Sequence, residues 1–199
     1  MQVIALSVTL LGIQMGLKGE QFLVVLSSLV IGTYIGERFD LEAKLNYLGK
    51  VVEEKVGAKE EGAIARGFVA ATLLYGVGAM AILGALDSGL RGNHDLLFTK
   101  SLLDGFTSIL LTSTLGIGVM FSALPIFLYQ GAITLFAVYI EKIVPTEIMN
   151  LFITEMTALG GIMIIAIGLN LLGVTKVRVA NTLPAILILA LIIPIVSQM

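Results

Sequence analysis

The chain has 199 residues, of which 57% are hydrophobic and 13% charged, with a mean hydropathy of +1.02 and a net charge of −2. Soluble domains carry about 25% charged residues, so this composition excludes a water-soluble enzyme. It also excludes a nucleic-acid-binding protein, because there is no excess of basic residues. With no cysteine and one histidine, we expect no disulfide, no metal site and no cofactor. The composition indicates an all-α integral membrane protein.

Seven apolar stretches approach the length of about 20 residues that a membrane-spanning helix needs. In chain order they are residues 3–17, 22–36, 67–86, two helices within 101–140 divided at Pro125, then 151–172 and 182–197. We therefore predict a polytopic helical bundle of about seven transmembrane spans, with residues 1–199 forming a single transmembrane domain.

Residues 37–66 form the one long polar stretch. Asp40 can cap a helix in which Leu41, Leu45 and further apolar residues share one face, so we predict an amphipathic helix at the membrane surface. A solvated connector helix is an equally good interpretation. The stretch carries half of the chain's 12 lysines and arginines. The positive-inside rule therefore places it in the cytoplasm, with the N-terminus inside and the C-terminus outside.

Several motifs along the chain match one family as a set. They are TKSLLDG at 99–105, TLGIGV at 114–119, YQG at 129–131, EMTALGG at 155–161 and IGLNLLG at 167–173. Together they make the chain resemble the YdfK/YqgA-like bacterial membrane proteins, a domain-of-unknown-function family. The resemblance implies a multi-pass protein of the bacterial inner membrane with no established substrate. It also implies that this chain lacks the hydrophobic segment and basic loop that the family carries ahead of the region matching Met1.

Charged side chains inside a bilayer are unfavourable unless they have a partner or a role. Asp104 and Glu155 each lie one helical turn inside a predicted span, and Lys100 lies four residues before Asp104, on the same helix face. Both carboxylates are expected near the non-cytoplasmic side, where they could meet in one site for proton or cation exchange. The alternative is that each is a capped or paired anchor near a helix end.

Three amide side chains, Gln14, Gln130 and Asn170, lie deeper in the predicted spans. An amide can replace part of the hydration shell of an ion or a polar solute. Amides also hydrogen-bond between membrane helices, which is a purely structural role. Both interpretations stay open from the sequence.

Two glycine pairs lie within predicted spans, Gly76-x-Gly78 and Gly116-x-Gly118. Paired glycines weaken a helix, and an interrupted helix at membrane depth can expose carbonyls to an ion or solute, as in transporters. We predict helix breaks there, with close helix packing as the alternative. The pairs Gly12-xxx-Gly16 and Gly32-xxx-Gly36 are typical of helix–helix contacts.

Two classes of function follow from these features. The first is a transporter or channel for a small solute or ion, whose path the carboxylates and amides line. The second is a non-transporting sensor or scaffold that acts through a protein partner at residues 37–66. Neither H-E-x-x-H nor G-x-S-x-G occurs, so we do not expect an enzyme. The expected partners are the lipid bilayer, other copies of the chain in a homo-oligomer, and a small solute or cation, with no nucleic acid.

Overall fold

The computed structural model of the protein describes residues 2–47 and 62–196, and these are almost entirely helical, with no β-strand among them. The helices are α1 (Gln2–Gly16), α2 (Phe22–Phe39), α3 (Ala63–Gly76), α4 (Ala79–Arg91), α5 (Asp95–Leu115), α6 (Ala123–Ile143), α7 (Thr146–Leu171) and α8 (Pro184–Val196). Short 3₁₀ segments cover Gly116–Ser122 and Val179–Thr182. Residues 41–47 are helical as well. The predicted all-α class is confirmed.

By length and composition, four helical stretches of the described residues could cross a membrane: Phe22–Phe39, Asp95–Ile143, Thr146–Leu171 and Val179–Val196. The pair α3 and α4, bent by 61°, makes a fifth if it counts as one span, and α1 is apolar but shorter. This supports a helical membrane protein with four or five such stretches, fewer than the seven spans expected from the sequence.

The division within residues 101–140 falls at Gly116, so the prediction that it falls at Pro125 is wrong. α5 ends at Leu115, and Gly116 takes a positive φ of 73°, which glycine adopts without the steric penalty of a Cβ. Pro125 lies in the first turn of α6. A proline is tolerated there, because the N–H groups of a first turn have no partner within the helix.

The helices α5 and α6 run in opposite directions along the bent pair α3–α4. The start of α5 packs beside Gly84 of α4, and its end packs beside Gly67 of α3. The following 3₁₀ segment contacts Ile64. Further along α6, the Thr134 hydroxyl donates a hydrogen bond to the Ala85 backbone oxygen in α4 (3.1 Å). The chain therefore reverses direction within Gly116–Ser122.

Asp40 links α2 to the helical residues 41–47. It ends α2 in the left-handed conformation (φ 46°), and its Oδ1 accepts a hydrogen bond from the Ala43 N–H (3.4 Å). This is the geometry of a helix N-cap, as predicted for Asp40. The rest of the predicted amphipathic helix lies outside the described residues.

Glycines bring α1 against α7 and α2 against α8. A Cβ at Gly12 would lie 2.7 Å from the Ile165 backbone nitrogen and 2.8 Å from the Gly161 backbone oxygen. In the second pair, the backbones of Gly32 and Ala185 make a similarly close contact. Small residues at such positions let membrane helices approach each other and gain van der Waals contact. These two contacts make α1, α2, α7 and α8 a tightly packed group.

We expect Gly12→Ala to destabilise the protein, because the added methyl group meets the backbone of α7 and the two helices must separate. Overpacking of this kind costs about 1–3 kcal/mol. The matched control is Gly16→Ala, one turn along α1, where the nearest atom to a new Cβ lies at 3.9 Å. Thermal unfolding in detergent, followed by circular dichroism, should show a lower midpoint for Gly12→Ala alone. Equal midpoints for the two variants would contradict the packing of α1 on α7.

Candidate functional site

A cavity of about 830 Å³ opens between α5 and α6 and reaches α3. We call it the α5–α6 groove. Its polar lining residues come from all three helices and from the turn that joins α5 to α6: Tyr75, Lys100, Ser101, Asp104, Ser108, Thr112, Ser122 and Gln130. Gly105 and apolar side chains complete the walls. An open, partly polar cavity within membrane-spanning helices is unusual, because lipid chains offer no hydrogen bonds.

Lys100 and Asp104 form an ion pair across one turn of α5 within this groove. The side chain of Lys100 is 11% exposed and that of Asp104 is 28% exposed. The Lys100 ammonium also lies 6.0 Å from the ring centroid of Tyr75, within the range of a cation–π contact. Because α5 begins at Asp95, Asp104 lies about 14 Å along the helix. It is therefore near the middle of α5, which begins six residues before the span predicted at 101–140.

Two more polar groups face the groove. The Ser108 hydroxyl donates a hydrogen bond to the Tyr75 hydroxyl oxygen (2.8 Å) and so ties α5 to α3. On the opposite wall, the Nε2 of Gln130 is buried and has no hydrogen-bond partner among the described residues. A buried donor without a partner is unfavourable by about 1–3 kcal/mol, which makes Gln130 a candidate to bind a ligand in the groove.

Glu155 of α7 is fully buried and lies outside the groove. Its Oε1 accepts hydrogen bonds from the backbone N–H groups of Glu20 and Gln21, both at 2.9 Å. These two residues immediately precede α2, so Glu155 caps the start of that helix from α7. Its second oxygen, Oε2, has no hydrogen-bond partner among the described residues. α7 begins at Thr146, five residues before the span predicted at 151–172, so Glu155 lies more than two turns from the start of the helix.

The structure does not bring Asp104 and Glu155 together in one site. Asp104 pairs with Lys100 on its own helix, whereas Glu155 binds the turn between α1 and α2 and does not line the groove. The two carboxylates therefore act separately, one in the groove and one as a helix cap.

The other two predicted amides lie away from the groove. Gln14 is on the exposed side of α1. Asn170 closes the loop after α7: its Oδ1 accepts bonds from the Thr175 hydroxyl (2.8 Å) and the Val177 N–H (2.9 Å), and its Nδ2 donates to the Val177 oxygen (2.7 Å). Asn170 lines a separate cavity of about 90 Å³.

The helices are interrupted at both glycine pairs. α3 ends at Gly76, and Gly78 takes φ 142° and ψ 153° before α4 starts. At the second pair, α5 ends before Gly116, and Gly118 packs against the backbone of Ile64. Both interruptions adjoin the groove, since Tyr75 and Val119, which flank them, line it.

Sequence reasoning missed Tyr75, Ser101 and Ser108 as groove residues. A signal for the two serines exists, because Ser101, Gly105, Ser108 and Thr112 follow one another at intervals of four, three and four residues on α5, the spacing of a single helix face. No pattern on α3 marks Tyr75, since its contact with α5 depends on how the two helices pack.

The apolar helices, including the bent pair α3–α4, define a multi-pass helical membrane protein. Residues 1–194 match the family described as "Protein of unknown function (DUF554)". The chain belongs to this family, as the resemblance in its motifs predicted.

Two bacterial relatives support this membership. The chain is 38% identical over 161 residues to the "Uncharacterized membrane protein YdfK" of Bacillus subtilis (strain 168), a match that covers 81% of this chain and 66% of the relative. It is 31% identical over 121 residues to the "Uncharacterized protein YqgA" of Escherichia coli (strain K12), a match that covers 61% of this chain and 50% of the relative. The chain thus spans about two thirds and one half of these relatives. No solved structure matches it. The predicted bacterial membrane location is confirmed.

We expect Glu155→Ala to lower stability by about 1–3 kcal/mol, because it leaves two backbone N–H groups without an acceptor. Glu155→Gln should be milder, since both bonds go to one oxygen, Oε1, and an amide oxygen in its place can accept both. Hydrogen exchange at the amides of Glu20 and Gln21, measured with the thermal midpoint, should rise in the alanine variant. Glu147→Ala, an exposed position on the same helix, is the control. Unchanged exchange at both amides would show that Glu155 does not cap α2.

Proposed function

We propose that the protein is a transporter or channel for an ion or a small polar solute, and that the α5–α6 groove is part of its path. The observation that carries the proposal is the groove itself, a cavity of about 830 Å³ that contains an ion pair and hydroxyl groups within membrane-spanning helices. Polar groups at this depth can replace the water that surrounds a solute.

The proposal includes a bundle of about seven membrane crossings. The reversal at Gly116–Ser122 supports it, because α5 and α6 each have 21 residues and each is long enough to cross once. Counting α5 and α6 separately, together with α1, α2, the bent pair α3–α4, α7 and α8, gives the predicted number.

Asp104 is the groove's one carboxylate among the described residues, and Lys100 already occupies it. Because Lys100 binds the Oδ2 of Asp104, a cation or proton that binds there competes with the Lys100 ammonium. Binding would then release Lys100 toward Tyr75, whose ring already lies 6.0 Å from it. The helix interruptions beside the groove supply positions where α4 and α6 can change direction, since glycine tolerates a wide range of backbone angles. Ion binding would in this way be coupled to a change in shape.

We expect the double variant Lys100→Met/Asp104→Asn to transport at least tenfold more slowly than the natural chain in proteoliposomes, because it removes the ionisable pair. Proton, sodium and potassium fluxes are measured with ion-sensitive dyes, and neutral solutes such as glycerol by vesicle swelling. The control is Asp87→Asn/Arg91→Met. Asp87 and Arg91 also form an ion pair between residues four apart, on α4 and outside the groove. Their charged atoms lie 3.1 Å apart.

Two results would overturn this proposal. One is that vesicles with the natural chain are no more permeable than empty vesicles to any of these probes. The other is that both double variants lose flux equally. The first result would favour the competing proposal, a membrane sensor or scaffold, and pull-down with residues 37–66 intact or scrambled would then be the next test. The second would contradict the role of the α5–α6 groove in the path.

A further inference from the structure

The open side of the α5–α6 groove is not suited to lipid. The hydroxyl-bearing residues Ser101 and Thr112 are exposed there, and the Asp104 side chain is 28% exposed. Hydrocarbon chains cannot hydrogen-bond to any of these groups, and leaving polar groups without partners in an apolar medium is unfavourable. A surface with its own polar groups must therefore cover this side.

No contact within the described part of the chain requires glycine at two positions next to this open side. A Cβ at Gly105 of α5 or at Gly131 of α6 would meet nothing within 4 Å, whereas every other glycine within the described helices α1–α8 has a neighbouring atom within that distance. Neither has a positive φ. A helical glycine is less stable than alanine by about 1 kcal/mol. Close approach by another molecule would account for both.

The groove side of α5 also carries a pattern typical of contacts between membrane helices. Ser101-xxx-Gly105 and Ser108-xxx-Thr112 follow each other as two small-xxx-small pairs on one face. Such pairs let two helix backbones approach closely, and their hydroxyl groups can hydrogen-bond across the interface. Gly131 lies one turn after Phe127, which lines the groove, so α6 adds a second position for close approach.

We propose that the α5–α6 face of a second copy of this chain covers the groove and turns it into an enclosed path. The face is self-complementary, because its hydroxyl groups both donate and accept hydrogen bonds and its small residues can face one another across a two-fold axis. Charge also permits the pairing, since Lys100 and Asp104 neutralise each other within each copy. This inference rests on the proposed function, because it completes that path.

Single-cysteine cross-linking tests the interface, and the chain's natural lack of cysteine makes it direct. Ile109→Cys places a thiol at a groove residue of α5 that is 70% exposed. The matched control is Leu187→Cys, which is 69% exposed. It lies on α8, a helix of the tightly packed group and not of the groove. Purified protein in proteoliposomes is treated with a short bis-maleimide. We expect a cross-linked dimer from Ile109→Cys, with at least tenfold less from Leu187→Cys.

A lipid or an unrelated protein on the groove would leave Ile109→Cys without a cross-link in these vesicles, and that result would overturn the inference. Equal cross-linking of the two variants would also overturn it, because it would reflect random collision. A second pair of variants strengthens the test. Adding Gly131→Leu to Ile109→Cys should reduce the cross-linked fraction at least tenfold, whereas adding Gly131→Ala should reduce it less. No atom of the same chain lies within 4 Å of a Cβ at Gly131, so the alanine variant should fold, and circular dichroism checks the fold of the leucine variant.

Flux measurements on the same vesicles separate this inference from the proposed function. A cross-linked dimer without flux would support the interface and contradict transport. Flux from a protein that never cross-links through α5 would support transport and contradict the interface. Loss of both dimer and flux in Gly131→Leu is the result expected if the second copy completes the path.

Discussion

The carboxylate of Glu155 fixes the turn between α1 and α2 against α7, and the tightly packed half of the bundle depends on this contact. The first N–H groups of any helix lack partners within the helix, and a membrane interior offers no water to supply them. Glu155 accepts the N–H groups of Glu20 and Gln21, the two residues that lead into α2, while fully buried. Because α7 begins nine residues before it, the turn lies about 14 Å from the start of α7. A turn packed that far along α7 can be reached only by a side chain from the middle of the helix.

The same solution recurs at the other end of this half. The Oδ1 of Asn181, itself fully buried, accepts the Glu42 N–H (2.7 Å), and the Glu42 carboxylate accepts the Ala180 N–H (2.9 Å). Two chain segments that are far apart in sequence thereby each supply an acceptor for a backbone N–H group at the start of the other's helix. Asn170 closes a loop in a similar way. These contacts of Glu155, Asn181 and Asn170 thus satisfy the backbone, whereas Lys100, Asp104 and Gln130 of α5 and α6 line the groove and are left as candidates for chemistry.

Local rules predicted what depends on local geometry. Lys100 and Asp104 could be paired from their spacing of four residues, and α2 begins at Phe22 in the structure as the sequence indicated. Partners far apart in sequence could not be found in this way. The bonds from Glu155 to residues 20 and 21, and the contact of Tyr75 with Ser108, exist only once the helices have packed. The error at Pro125 has a local cause, because a proline interrupts a helix only beyond the first turn.

The unequal packing of the two halves determines where the protein can change shape. At the contacts of α1 with α7 and of α2 with α8, glycine backbones touch their neighbours so closely that sliding or separation would break many contacts at once. The helices α5 and α6 have no such constraint on their open side. The interruption between them begins at Gly116, and the interruption at Gly78 lies between α3 and α4 beside the groove, each with a glycine at positive φ. A movement that widens or narrows the groove can therefore occur about these two positions. Meanwhile, the Glu155 cap and the packed glycines hold the other half in place.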